Sequence, residues 1–243
     1  MWRALANPNR FMRVSGLILP WAFLLATALF AVGLYWALWV APPDFKQGDG
    51  ARIIFIHVPA AALSIGVYAV MVVASVTALI WRHPVSDLTA KSCAPVGAAF
   101  TLIALITGSI WGKPMWGAWW VWDARLTAEL ILLFFYLGYM ALWNAIDDQT
   151  TAARAAAILC CVGSVSALLS KYSVNFWNTL HQPASLSVDK AEHVHNAFYL
   201  PLLVMMGAFY AYFMAFLLLG VRKEIRARRI RNLRGALARE AGA

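Results

Sequence analysis

Six stretches of the chain, at about 16–40, 54–81, 93–111, 127–145, 152–174 and 196–221, are each long and apolar enough to cross the roughly 30 Å hydrocarbon core of a bilayer. No water reaches backbone N–H and C=O groups in that core, so uninterrupted runs of this kind satisfy them as helices. Hydrophobic residues fill 62% of the 243 positions, charged residues 13%, and the mean hydropathy is +0.68, which excludes a soluble domain. The expected fold is an all-α membrane protein, a six-transmembrane-helix bundle in which residues 1–243 form a single polytopic domain. The first run follows Arg3, Arg10 and Arg13 like a secretory signal, but it is too long for a signal h-region and Ala41-Pro42-Pro43 is a poor cleavage site. It is expected to remain as a helix.

The distribution of Lys and Arg orients the bundle. The N-terminal segment, the 82–92 connection, the 146–151 turn with Arg154, and the tail after Val221 hold fourteen of the twenty basic residues, and the other side holds Lys46, Arg52, Lys113, Arg125, Lys171 and Lys190. The positive-inside rule then places both termini in the cytoplasm. Most of the net charge of +9 lies in the 222–243 tail, which reads as a stop-transfer and anionic-lipid anchor rather than a nucleic-acid surface. Three segments remain on the outer side: 41–53, 110–126 and 175–195.

Several chemistries are excluded. Cys93, Cys160 and Cys161 form neither a Cys-x-x-Cys pair nor a Cys-x-x-Cys-His attachment signature, and they read as small apolar packing residues. A P-loop, a Rossmann glycine fingerprint and a Gly-x-Ser-x-Gly elbow are all absent from the sequence, so any ATP would be bound by another polypeptide. Acidic residues are too scattered for paired-carboxylate catalysis, and the chain is not expected to be an enzyme.

The second outer segment reads Trp111-Gly-Lys-Pro-Met-Trp116-Gly117-Ala-Trp119-Trp120-Val-Trp122-Asp123-Ala-Arg125, which packs five of the twelve tryptophans into twelve residues. A single Trp here would be an ordinary membrane-interface residue. The cluster is different, because Trp116, Trp119, Trp120 and Asp123 follow the i, i+3, i+4, i+7 spacing of one helix face, with Pro114 near a helix start. The 111–126 segment is therefore expected to hold a short interfacial amphipathic helix. Its aromatic face suits a planar apolar ligand, and the flanking Lys113 and Arg125 suit that ligand's carboxylates. Asp123 is expected to orient the loop.

Two histidines stand on the same predicted side. His57, in Arg52-Ile-Ile-Phe-Ile-His57-Val-Pro59, opens the second helix among apolar residues, where an ionisable group calls for a partner. His181 lies in Asn175-Phe-Trp177-Asn178-Thr-Leu-His181-Gln182-Pro183, in the third outer segment. For either residue alone, a hydrogen-bonded or solvated imidazole is a sufficient explanation; both are also good iron ligands. His193 and His195 compete with His181, while His83 falls on the cytoplasmic side. A bis-His zinc site is an alternative, without Cys, Asp or Glu at ligand spacing to complete it. Haem accommodates the two imidazoles, the aromatic platform and the basic flanks together.

The run from Trp116 to Asp123 resembles the tryptophan-rich WWD signature of the haem-handling proteins of cytochrome c biogenesis. Together with six helices, the His57-Val-Pro59 context and Trp177-Asn178-Thr-Leu-His181-Gln182, it is similar to the haem exporter C branch of that family rather than to the larger synthetase members. The resemblance implies haem b held at the periplasmic face of a bacterial inner membrane, with His57 and His181 as axial ligands. Trp116, Gly117, Trp119, Trp120, Trp122 and Asp123 would form the platform, beside Lys113 and Arg125. It also implies an ABC-type complex with the ATPase subunit CcmA, the membrane subunit CcmB and the small subunit CcmD, and delivery of haem to the chaperone CcmE. A transmembrane haem export channel and a non-haem scaffold subunit are the alternatives.

Overall fold

The computed structural model describes residues 7–83, 85–175, 177 and 196–241. Six helices among them are long and apolar enough to cross a membrane. They are α1 (Pro8–Tyr35), α2 (Ile54–Trp81), α3 (Ser86–Trp116), α4 (Ala124–Ala145), α5 (Gln149–Tyr172) and α6 (Asn196–Ala241). A π-helical turn, Trp36–Val40, extends α1, and a 3-10 turn, Asp49–Ile53, leads into α2.

The helices pair α1 with α6, α2 with α3, and α4 with α5; α2 then meets α5, and α3 meets α4 and α6. α3 is the centre of the bundle, with half of its apolar window buried, whereas α1 buries 17% and presents Leu17, Trp21, Leu24 and Leu25 outward. Lipid tails are as apolar as these side chains, so the helices are held by close packing and interhelical hydrogen bonds more than by water exclusion. Two tyrosines illustrate this. The Tyr136 ring occupies the space that a Cβ on Gly97 would need, and its hydroxyl donates to the Ser64 carbonyl at 2.7 Å, joining α4 to α3 and α2. Tyr68 of α2 crosses Gly163 of α5 in the same manner and donates to the Cys160 carbonyl at 3.1 Å. The two rings meet edge to face at 5.0 Å.

The helix ends depart from the hydropathy boundaries. α1 starts at Pro8 instead of 16, because Pro8 stands at the first helical position and the Asn7 side chain caps the Asn9 amide at 2.9 Å. α3 starts at Ser86 instead of 93 and continues to Trp116 instead of 111. The expected interfacial helix is not formed. Pro114 lies in the last turn of α3, Gly117 ends that helix at φ +78°, and 118–122 runs without helix to the Asp123 cap of α4. The tryptophan spacing matched a helical face, but a left-handed residue and a cap divide it.

The basic tail also differs from a free anchor, since α6 continues as one helix to Ala241. Its first turns beyond Val221 are fastened to the bundle. Arg222 donates to the Met12 carbonyl at 2.5 Å and to Ser15 Oγ at 2.9 Å, Lys91 pairs with Glu224 at 2.9 Å, and Arg228 pairs with Asp87. Val85, Leu88, Val221 and Ile225 form a small apolar core beside these contacts.

Because a methyl group on Gly163 would overlap the Tyr68 hydroxyl and the Phe135 ring, Gly163→Ala is expected to destabilise the detergent-solubilised protein by about 1–3 kcal/mol. Gly66→Ala, where the space is open, is the control. Equal melting temperatures for the two variants would contradict this account of the packing.

Candidate functional site

The start of α2, the end of α3 and the start of α4 meet at one end of the bundle, and most of the candidate residues lie there. His57, in the first turn of α2, is half-buried against the last turns of α3. Its Nδ1 is 3.0 Å from Thr107 Oγ1. The Thr107 hydroxyl proton is directed to the Ile103 carbonyl, 2.6 Å away, so toward His57 the oxygen offers a lone pair. An imidazole donating from Nδ1 satisfies that oxygen and would carry its lone pair on Nε2, the arrangement suited to ligating a metal through Nε2. Gly108 makes the approach possible, since a Cβ there would be 3.2 Å from the imidazole Cε1. The edge of Trp111 packs on the ring at a centroid distance of 5.6 Å, and the Trp111 indole donates to Gln47 Oε1 at 2.8 Å.

The tryptophan segment follows directly. Trp116 folds back over Gly112, where a Cβ would lie 2.9 Å from the indole. Gly117, in the left-handed conformation, turns the chain, and its amide closes on the Lys113 carbonyl at 3.0 Å. The Lys113 ammonium caps the same end by donating to the Gly117 carbonyl at 3.1 Å. Beyond the turn, Trp119 and Trp122 are 59% and 75% exposed, while Trp120 is half-buried and meets Trp122 edge to face at 5.4 Å. The Trp120 indole nitrogen is buried without a hydrogen-bond acceptor among the described residues. Such a donor commonly marks a place where a ligand or water completes the site.

Asp123 is buried, and its Oδ1 accepts from the Leu126 amide at 2.8 Å, the N-cap contact that starts α4. Arg125 is half-buried in the first turn of that helix. One turn further, Glu129 is 92% buried, and its Oε2 accepts from Ser170 of α5 at 2.6 Å. Glu129 and Thr107 were not among the residues singled out from the sequence, and Trp111 entered only as the first tryptophan of the cluster. A lone ionisable group in an apolar run is the signal that identified His57, and it applied equally to Glu129.

The third candidate segment is described only at its ends. Trp177 is exposed just beyond α5, and Phe198 at the start of α6 stacks on Phe55 of α2 at 6.0 Å. His181, His193 and His195 lie outside the described residues. His83 lies at the opposite end of the bundle, where its Nδ1 accepts from the Val85 amide at 3.4 Å. Among the described residues, no group of three or more His, Cys, Asp or Glu side chains is arranged to hold a metal ion, and Cys93, Cys160 and Cys161 are free thiols.

A family model described as CcmC, Heme exporter protein C, matches residues 1–236. The chain belongs to the Heme exporter protein C family. The member from Paracoccus denitrificans is 54% identical over 236 residues, covering 97% of this chain and 96% of its own length. The Rhodobacter capsulatus member is 50% identical over 229 residues, with 94% and 95% covered. The Escherichia coli K12 member is 50% identical over 197 residues, with 79% and 80% covered. The Trp segment, His57 and the α3 residues that hold them all fall within the stretch matched to the family.

The cap geometry gives Asp123 a role separable from its charge. Asp123→Ala is expected to lower stability by about 1 kcal/mol, whereas Asp123→Asn, an equally good N-cap, retains most of it. Equal melting temperatures for the Ala and Asn variants would show that the cap is not what Asp123 contributes.

Proposed function

We propose that this chain binds haem b at the periplasmic face of a bacterial inner membrane and presents it to the haem chaperone CcmE. It would do so within an ABC-type complex with CcmA, CcmB and CcmD, both of its own termini being cytoplasmic. The observation that carries the reading is the contact of His57 Nδ1 with Thr107 Oγ1 at 3.0 Å, beside the tryptophan segment: with Nδ1 engaged there, Nε2 is the atom that would ligate the iron. His181 supplies the second axial imidazole. Its segment leaves from Trp177 and returns at Phe198, which is stacked on Phe55 two positions from His57.

The residues present suit a flat dianionic cargo. Trp116, Trp119, Trp120 and Trp122 offer π surface, Gly117 sets the turn that displays it, and Asp123 fixes the far end of the segment. The buried Trp120 N–H is a donor with no acceptor among the described residues, and Lys113 and Arg125 are the cations for the propionates. The cargo supplies the iron chemistry, and the chain positions it and leaves one edge open to the chaperone. Because Trp119 and Trp122 are exposed, the platform is an outward surface rather than an enclosed pocket.

Absorption spectra of the purified protein test this reading. Wild type is expected to show a reduced bis-His haem spectrum that His57→Ala and His181→Ala each lose while still inserting in the membrane. Thr107→Val is expected to keep the fold and weaken haem affinity about 10–100-fold, the usual cost of losing an outer-shell partner. A wild-type protein with no Soret band after haem addition would return the tryptophans to a membrane-interface role and favour a non-haem scaffold.

A further inference from the structure

At the end of the bundle opposite His57, a cleft of about 740 Å³ opens among α1, α3, α4 and α6. Its polar end is formed by Lys91, Lys223 and Glu224. Lys91 pairs with Glu224 at 2.9 Å and lies 4.4 Å from the centroid of the Trp143 ring, while Lys223 is exposed. Two ammonium groups against one carboxylate leave this mouth cationic. Deeper in, the walls are aromatic: Tyr212 stacks on Phe216 at 4.3 Å, and Phe100 lies 5.6 Å from Phe209.

The cleft lies in line with the His57 end. Along α3 its lining runs from Lys91 to Ile103, about 18 Å of helix and therefore more than half of the hydrocarbon core. Ile103 is the residue whose carbonyl receives the Thr107 hydroxyl, so the deep end of the cleft stops one helical turn short of the contact that holds His57. An acyl chain would need only an apolar groove. Aromatic walls joined to a cationic mouth fit a rigid flat body with carboxylates at one edge.

We infer that this cleft is a loading site that takes up haem, a planar tetrapyrrole dicarboxylate, from the leaflet at the Lys91 end before the His57 site receives it. The inference rests on the reading of the His57 end as a haem site and adds a second position on the same chain. No histidine lines the cleft among the described residues, so recognition is of the macrocycle and its carboxylates instead of the iron. A metal-free porphyrin therefore binds there as haem does.

The test uses the full-length protein carrying His57→Ala, titrated with metal-free protoporphyrin IX and followed by porphyrin fluorescence anisotropy. Saturable binding is expected to survive His57→Ala and to weaken at least about tenfold on adding Ala99→Trp, which fills the cleft wall, with a smaller loss for Lys223→Gln at the exposed mouth. In the presence of His57, both variants are expected to form the wild-type Soret band when haem is added directly. Absence of saturable binding, or binding indifferent to both substitutions, would overturn the loading site. Displacement of the porphyrin by phosphatidylglycerol micelles but not by phosphatidylcholine micelles would overturn it too, by assigning the cleft to an anionic lipid. A wild-type haem spectrum that lacks the bis-His bands, with porphyrin binding intact, would sink the His57 reading and leave the cleft as a porphyrin site.

Discussion

Helices surrounded by hydrocarbon gain little by touching one another unless their surfaces fit more closely than lipid can. In this bundle the fit is made where an aromatic side chain lies against a helix backbone that has no side chain at that point: the Tyr136 ring on Gly97, and the Tyr68 hydroxyl with the Phe135 ring on Gly163. Each hydroxyl then reaches a carbonyl on another helix, so the close approach also satisfies the one polar atom it buries. The arrangement of α2, α3, α4 and α5 follows from these crossings, and with it the meeting of the His57 turn, the end of α3 and the start of α4.

That end of the bundle is assembled from helix termini rather than from a loop of its own. Arg52 donates to the Leu38 carbonyl at 2.5 Å and the Ala41 carbonyl at 3.0 Å, Lys113 covers the end of α3, and Asp123 opens α4. Termini carry orphan backbone groups that something must satisfy, and here charged side chains do so at the rim of the tryptophan segment. The segment between Gly117 and Asp123 is thus short and pinned at both ends. The Trp119 and Trp122 indoles are held out from the bundle without needing a helix to carry them.

The sequence disclosed the six spans plainly, because hydrocarbon demands long apolar runs and their interruption is hard to miss. It disclosed their ends poorly. Hydropathy registers only where lipid begins, whereas α1 is started by Asn7 and Pro8 and α3 is ended by Gly117, outside the apolar runs. The tryptophan spacing misled for a related reason: four residues fall on a helical face in projection, but periodicity carries no information about the φ of the glycine between them. Charge was equally ambiguous. Arg222 and Arg228 contribute to the positive tail that a reader assigns to lipid, yet their partners Met12, Ser15 and Asp87 lie more than a hundred residues away along the chain. His57 was visible as an ionisable residue among apolar neighbours; Thr107, fifty positions on, could be matched to it only once α2 and α3 were folded together.

The continuity of α6 has a mechanical meaning. A helix of 46 residues is roughly 69 Å long, about twice the thickness of the hydrocarbon it crosses. Its first turn is stacked on α2 two positions from His57, its middle lines the cleft, and its last turns, past the Arg228–Asp87 and Arg229–Asn9 contacts, are mostly exposed. Such a rod cannot be moved at one end alone. A tilt of a few degrees about the middle shifts either tip by roughly 2–3 Å, so a force on the basic tip is felt as displacement beside His57.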